Sequence, residues 1–133
     1  MSILILIARI LFAMIFLFSS FGHFTQTKNM AAYAQSKGVP FANLAVIFTG
    51  LMIFLGSISI ILGAYVNVGA ILIVIFTVPT AFIMHNFWTI KDPMMRQNEQ
   101  LHFMKDLGLG GGAFLIWYLY SVAEVPLSIH PLL

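Results

Sequence analysis

Four long apolar runs fill most of this chain and define the solvent in which it folds. Each run is close to the roughly 20 residues that an α-helix needs to cross ~30 Å of hydrocarbon. Hydrophobic residues make up 61% of the chain and charged residues 8%, whereas a soluble domain has about 25% charged residues. The runs therefore predict membrane-spanning helices at residues 3–21, 41–63, 68–88 and 104–122.

A short polar stretch separates the first two runs. Residues 27–37, TKNMAAYAQSK, are polar apart from a few apolar members such as Met30, Ala31, Tyr33 and Ala34, which favours a short interfacial helix capped by Thr27 and stopped at Gly38. Pro40 is expected in the first turn of the next helix, where its missing N–H costs nothing. The predicted fold is an all-α integral membrane four-helix bundle with a short interfacial helix between helices one and two, in one domain over 1–133.

Several other classes of protein are excluded or disfavoured. The first run holds Arg9 and ends in SSFGHF without a small-residue cleavage site, so we expect a retained helix and not a signal peptide. The chain has no cysteine, which excludes disulfide and dithiol chemistry within it. A net charge of only +2 without a basic run gives no reason to expect nucleic acid as a partner.

The basic residues are distributed unevenly over the predicted connections. By the positive-inside rule, this places the first and third connections in the cytoplasm and both termini outside. The expected location is a prokaryotic inner membrane, with the lipid bilayer as the first partner. Arg9, near the start of helix one, counts for the opposite side. The basic residues of the first and third connections are Lys28, Lys37, Lys91, Arg96 and, at the boundary, Lys105.

Polar residues gather near the helix ends on this same side. Asp106 falls about one turn, or ~5 Å, inside helix four, and an ionisable residue within a span indicates function. Together with His85 it forms the layer that we expect to bind a ligand. The competing interpretation is that His, Trp and Lys simply prefer the interface. The full set of candidate pocket residues is His23, His85, Asn86, Trp88, His102, Lys105 and Asp106.

Neutral histidines also bind metals or haem. However, no H-x-x-x-H or H-x-x-E pair occurs in the sequence, so no metal site is predicted. The chain also lacks a nucleophile–base pair and a phosphate-binding glycine loop, because GLGGG is embedded in apolar sequence. A stand-alone enzyme is therefore not favoured.

Arg9 lies roughly two turns into helix one, and its side chain leans towards the end of the molecule where helix four finishes. Glu124 stands at that end. The sequence therefore predicts an intramembrane Arg9–Glu124 ion pair, with snorkelling of Arg9 to the headgroups as the alternative.

Small residues predict where the helices approach each other closely. Gly56, Ser59 and Gly63 in helix two and the Gly108-x-x-x-Gly112 spacing in helix four are typical of such contacts. Pro79 predicts a kink in helix three, because it leaves the Ile75 carbonyl without its usual partner. Thr77 or Thr80 is expected to satisfy that carbonyl.

Four segments together resemble the DoxX family of small bacterial and archaeal membrane proteins. They are FGHFTQTKNMAAYAQSKGVP, the glycines at 50, 56 and 63, VPTAFIMHNFW and FMKDLGLGGG. The resemblance implies a four-helix membrane protein that is distantly similar to the DoxD subunit associated with thiosulfate:quinone oxidoreductase. Other relatives are linked to membrane complexes that handle oxidative stress.

The resemblance also assigns individual positions. His85 matches the family's histidine at the end of helix three, Lys105 its helix-four lysine and Arg9 its helix-one arginine. Many members have glutamate where Ile53 stands here, and asparagine where Asp106 stands. The missing acid at Ile53 weakens a catalytic role, while Asp106 partly restores an acid to the bundle.

Three functions follow as hypotheses. The first is an accessory or anchoring subunit of a membrane redox or oxidative-stress assembly, with a quinone contacted by a pocket that includes His85, Trp88, Lys105 and Asp106. The second is a small-solute or proton carrier or channel that acts as a homo-oligomer and uses the Pro79 bend. The third is a membrane-bound enzyme, which would need a bound cofactor.

Overall fold

The computed structural model describes residues 2–129, and helices are the only regular structure in this part of the chain. An all-α fold was predicted and is confirmed. A short 3-10 turn at Phe87–Thr89 precedes the last of five α-helices. These are α1 (Ser2–Thr25), α2 (Thr27–Ser36), α3 (Ala42–Leu62), α4 (Val66–Met84) and α5 (Pro93–Val122).

Within the described residues, three helical segments are long and apolar enough to cross a membrane. They are Ser2–Thr25, Ala42–Leu62 and the segment Val66–Thr89, which includes the 3-10 turn. The sequence predicted four such spans. The longest helix, α5, has 30 residues but is not among the three, because charged residues and a run of glycines lower its hydropathy.

The start of α5 differs from the prediction. Helix four was expected to open near His102, yet α5 begins at Pro93. The Asp92 carboxylate accepts a hydrogen bond from the Met95 N–H at 2.8 Å, which satisfies one of the free N–H groups of the first turn. Pro93 then occupies the first turn, where proline is tolerated. The charged segment before His102 is therefore helical.

The interfacial helix is present at Thr27–Ser36, but its predicted cap and the predicted place of Pro40 in the next helix were wrong. Thr27 does not cap the helix, because its hydroxyl donates to the His23 carbonyl at 2.6 Å. Gly38 follows the helix with a φ of +84°, which a glycine adopts without strain. Pro40 lies outside α3, whose N-cap is Phe41.

The four long helices pack in a definite order. α3 lies against both α1 and α4, and α5 lies against α4. Gly112 of α5 also faces the Phe12 ring of α1, so the first and last helices meet. The buried core at their centre includes Phe16, Ile53 and Ile73. Ile53 is completely buried among apolar side chains.

Small residues on α3 allow the closest backbone approach. A Cβ atom at Gly56 would lie 2.9 Å from the Gly69 carbonyl oxygen of α4. Ser59 lies against Gly69 and donates to the Tyr65 carbonyl at 2.9 Å. Gly63 ends α3 with a φ of +72°. Gly56 and Ser59 therefore lie at the contact between α3 and α4, whereas Gly63 lies against Arg9 and Ser128.

The glycines of α5 only partly match their prediction. A Cβ at Gly112 would lie 3.1 Å from the Phe12 ring, but Gly108 has no neighbour within 4 Å. The buried face of α5 instead carries Asp106, Gly110 and Ala113, which share one side of a helix at spacings of four and three residues. Gly108 lies off this face, so its predicted role in packing is wrong.

Helix α4 continues through Pro79 to Met84. The Thr77 hydroxyl donates to the Ile73 carbonyl at 2.8 Å, which is one full turn back along the helix. Thr77 therefore does not serve the Ile75 carbonyl that Pro79 leaves free, contrary to one of the two expected arrangements.

Candidate functional site

A cavity of about 520 Å³ lies between the helices and is lined mainly by apolar side chains. Its walls come chiefly from α3 and α4, through residues such as Phe48, Met52, Phe76 and Ile83. α1 and α2 contribute smaller parts, and α5 contributes only Lys105 and Asp106. The volume falls within the ~300–1,000 Å³ that is usual for small-molecule sites.

Three charged or titratable residues, His85, Lys105 and Asp106, line the polar end of the cavity. Glu99 contacts His85, and we call the four residues together the His85 cluster. The His85 Nδ1 lies 2.7 Å from Glu99 Oε2, and its Nε2 lies 3.5 Å from Asp106 Oδ2. The other carboxylate oxygen of Asp106 lies 3.6 Å from Lys105 Nζ. A carboxylate only accepts hydrogen bonds, so His85 donates its Nδ1–H to Glu99.

Helix geometry explains why these residues meet. Glu99 and Asp106 are seven residues apart on α5, which places both carboxylates on one face two turns apart. His85 directly follows the last turn of α4, and the 3-10 turn then lets the chain fold back along α4 as α5. Asp106 is buried, and a buried carboxylate needs such partners because its desolvation is costly.

His102 supports the cluster from outside the cavity. Its ring stacks on His85 with centroids 5.1 Å apart and an angle of 21° between the ring planes. Lys105 Nζ lies 3.4 Å from the His102 Nδ1, and an ammonium only donates. His102 does not line the cavity, so its position is that of a neighbour to the binding residues.

Asn86 and Trp88 also lie beside the cavity rather than in its wall. The Asn86 side-chain oxygen accepts a hydrogen bond from Lys37 Nζ at 2.6 Å. Trp88 packs in an aromatic group with Phe82, Phe87 and Phe103 and is half exposed. The predicted pocket set therefore separates into residues that line the cavity and residues that surround it.

His23 lines the cavity from α1 and is buried, with 5% of its surface exposed. Its Nδ1 lies 2.9 Å from the Val46 carbonyl and 3.2 Å from Thr49 Oγ1. α1 approaches α3 closely here, because a Cβ at Gly50 would come within 2.7 Å of the His23 Cβ. His23 is thus a cavity residue at some distance in sequence from the His85 cluster.

Sequence reasoning missed Glu99 and Tyr33. Glu99 was assigned to a connection, although Asp92-Pro93 is a helix-start signal that would have placed it two turns before Asp106. The Tyr33 hydroxyl donates to the Met84 carbonyl at 3.3 Å. Burial raises the pKa of Tyr33, and the negative charge of Glu99 raises this pKa further. The charge of Glu99 therefore acts on the cavity wall formed by α2.

Arg9 is buried and does not form the predicted ion pair with Glu124 within the described residues. Its Nη1 donates to Tyr120 Oη at 3.0 Å and to Ser128 Oγ at 2.9 Å, and its Nη2 donates to the Leu127 carbonyl at 2.7 Å. Glu124 is exposed instead. The chain turns back after α5, so the neutral oxygens of Ser128 and Leu127 reach Arg9. The sequence had suggested the Glu124 carboxylate in their place.

No three His, Asp or Glu side chains within residues 2–129 are arranged to hold a metal ion. The His85 cluster offers hydrogen-bond donors, hydrogen-bond acceptors and charges of both signs. Chemically, it suits a polar group at the end of an otherwise apolar molecule.

Comparison with known proteins gives the family. The family model described as DoxX matches residues 4–86, which is more than half of the chain. The chain belongs to the DoxX family. The matched residues include His23 and His85, while Glu99, Lys105 and Asp106 lie beyond them.

Two relatives extend this comparison beyond residue 86. The chain is 32% identical over 126 residues to the inner membrane protein YphA of Escherichia coli K12, covering 95% of this chain and 89% of the relative. It is 31% identical over 112 residues to the inner membrane protein YqjF of the same organism, covering 84% and 80%. No solved structure matches. This DoxX-family chain is therefore a membrane protein with relatives in an inner membrane.

Proposed function

We propose that α5 is the fourth membrane span and completes a four-helix bundle. From Asp106 to Val122 the helix covers roughly 25 Å at 1.5 Å per residue, and it packs on α4. Exposed apolar residues along this part, including Phe114, Leu115 and Val122, suit contact with lipid. The charged turns before Asp106 then project from the membrane.

The distribution of charge supports the orientation in which both termini lie outside. Lys37 of the first connection is hydrogen-bonded to Asn86, which follows α4. The two lysine-bearing connections therefore belong to one end of the molecule, and the positive-inside rule assigns that end to the cytoplasm.

For function, we propose that the DoxX chain binds a lipid-soluble ligand with an apolar body and a polar head. The observation that carries this proposal is the apolar cavity closed at one end by the His85 cluster. The apolar body would contact α3 and α4, while the head would reach His85, Lys105 and Asp106. A quinone has this chemistry, because its ring carbonyls accept hydrogen bonds and its tail is apolar.

Binding of a quinone carrying a ten-carbon tail tests this proposal directly. We expect the purified protein in mild detergent to bind it and His85→Ala to bind it about tenfold more weakly, since the polar head loses a contact. Asn86→Ala is the matched control, because the neighbouring residue does not line the cavity. Absence of binding to the wild type, or equal affinities for the wild type and His85→Ala, would contradict the proposal.

The chain would serve as an accessory or anchoring subunit that presents this ligand to a membrane redox partner. This role rests on the proposed ligand cavity alone. The names of the two relatives give a location and no activity. Affinity purification in mild detergent followed by mass spectrometry tests this role. Recovery of the DoxX chain alone at native expression levels would count against it.

A second candidate function is proton transfer by a homo-oligomeric carrier. His85 lies between two carboxylates, Glu99 and Asp106, and Asp106 lines the cavity. Such a chain of titratable groups is typical of proton relays in membrane proteins. Liposomes containing a pH-sensitive dye test it: Glu99→Gln should slow proton flux, and equal flux with and without protein would remove this candidate.

A further inference from the structure

The protonation of His23 is determined by its backbone contact. Its Nδ1 lies 2.9 Å from the Val46 carbonyl, and a carbonyl oxygen only accepts hydrogen bonds. The Nδ1 must therefore carry the proton. The Thr49 hydroxyl donates to the Ala45 carbonyl at 2.7 Å, so its oxygen is also free to accept from the same N–H.

The second ring nitrogen of His23 is left without a partner within the described residues. Every recorded hydrogen bond of this side chain uses Nδ1, although the residue is 95% buried and lines the cavity. No described carboxylate lies within 4 Å of the ring to balance a positive charge, and a charged imidazolium is expensive to bury. In the neutral ring, Nε2 is an acceptor.

We propose that Nε2 of His23 accepts a hydrogen bond from a hydroxyl group of the ligand. This inference rests on the proposed binding function and adds a preference for lipid-soluble molecules that carry an O–H donor, such as phenols and quinols, over molecules whose polar head has only carbonyl groups, such as quinones. An ether or a carbonyl at the same place would leave two acceptors facing each other. The His23 contact therefore selects between molecules of nearly equal size and apolarity.

Two probes that differ only in this hydroxyl test the inference: 4-decylphenol and its methyl ether, 4-decylanisole. The wild-type protein should bind the phenol about five- to tenfold more tightly, which is the effect expected of one hydrogen bond. In His23→Asn the Asn Nδ2 takes the place of Nδ1 and keeps the bond to Val46, while the Asn Oδ1 takes the place of the ring Cδ2, so that no acceptor remains at the position of Nε2. The two probes should then bind this variant equally.

Three outcomes separate this inference from the proposed function. Equal binding of both probes to the wild type supports an apolar ligand cavity and overturns the role of His23. Discrimination that survives in a folded His23→Asn also overturns it. If neither probe nor the quinone binds, both the proposed function and the inference fail.

A spectroscopic measurement on the wild type keeps the inference testable if His23→Asn does not fold. In protein labelled with ¹⁵N-histidine and assigned by substituting the other histidines in turn, His23 should carry its proton on Nδ1. Addition of 4-decylphenol, but not 4-decylanisole, should move the Nε2 resonance upfield. A proton already present on Nε2, or identical spectra with both probes, would contradict the proposal.

Discussion

At the scale of single residues, the His85 cluster shows what sequence reasoning reaches and what it misses. His85 and Asp106 were singled out because each is an ionisable residue close to apolar sequence, and this signal is local. Glu99 contacts His85 only because α5 extends back to Pro93. The predicted Arg9–Glu124 pair failed for a related reason, since the path of residues 125–129 after α5 determines what reaches Arg9.

The link between Glu99 and Tyr33 gives a prediction about titration. Glu99→Gln should lower the pKa of the Tyr33 phenol, because one of the two causes that raise it is a negative charge. The pKa should stay above its usual value, since burial is the larger cause and remains. Ultraviolet difference titration measures this, and Tyr33→Phe identifies the signal.

Asp92→Asn is the control for this titration, because it removes a carboxylate from the start of the same helix without removing a cause of the shift. An unchanged Tyr33 titration in Glu99→Gln would show that the two residues do not interact.

The Arg9 contacts predict a contrast between two substitutions. Arg9→Lys should reduce the free energy of unfolding by about 1–3 kcal/mol, because lysine cannot bond the three acceptors with one planar group. Glu124→Ala should change it by less than about 0.5 kcal/mol, as expected for an exposed residue. Unfolding in mixed detergent measures both free energies. A larger loss of stability in Glu124→Ala than in Arg9→Lys would contradict these contacts and favour the Arg9–Glu124 ion pair.

At the scale of helices, composition and glycine signals predicted α1, α3 and α4 well, because each of these spans is a nearly uninterrupted apolar run. They misplaced the start of α5, in which charges and glycines interrupt the apolar run. The sequence predicted that Gly108 packs against a neighbouring helix, whereas Gly110 does so in the structure. A helix with so many glycines offers several faces for close approach. In the structure, Gly110 is the glycine that faces Thr77 and Val78 of α4.

Two glycine substitutions test these helix contacts. Gly56→Ala should destabilise the protein by about 1–3 kcal/mol, because its Cβ would press on the Gly69 carbonyl. Gly108→Ala should be neutral or stabilising by up to about 1 kcal/mol, since alanine favours a helix and nothing obstructs it. Reversed effects in a detergent unfolding experiment would show that the α3–α4 contact is misplaced.

At the scale of the whole molecule, hydropathy places the chain in the bilayer, and the structure brings the lysine-bearing connections to one end. What hydropathy does not reveal is the cavity, because it forms between residues that are far apart in the sequence. Its walls come from α1, α2, α3, α4 and α5, so its position depends on how these helices pack.

Four spans predict a specific pattern of accessibility. The chain has no cysteine, so single cysteines at Gln35, Asn98 and Glu124 can be labelled in intact cells with a membrane-impermeant maleimide. Glu124→Cys should react, whereas Gln35→Cys and Asn98→Cys should react only after lysis. If Glu124→Cys and Asn98→Cys were both protected, α5 would not cross the membrane.

The cavity as a ligand site is tested most directly by filling it. Ala45 lines the cavity, whereas Ala32 of α2 is exposed and does not. Titration with the ten-carbon quinone should give Ala45→Phe an affinity at least tenfold below that of the wild type, while Ala32→Phe should bind as the wild type does. Equal affinities for all three proteins would place the ligand outside this cavity and contradict the account.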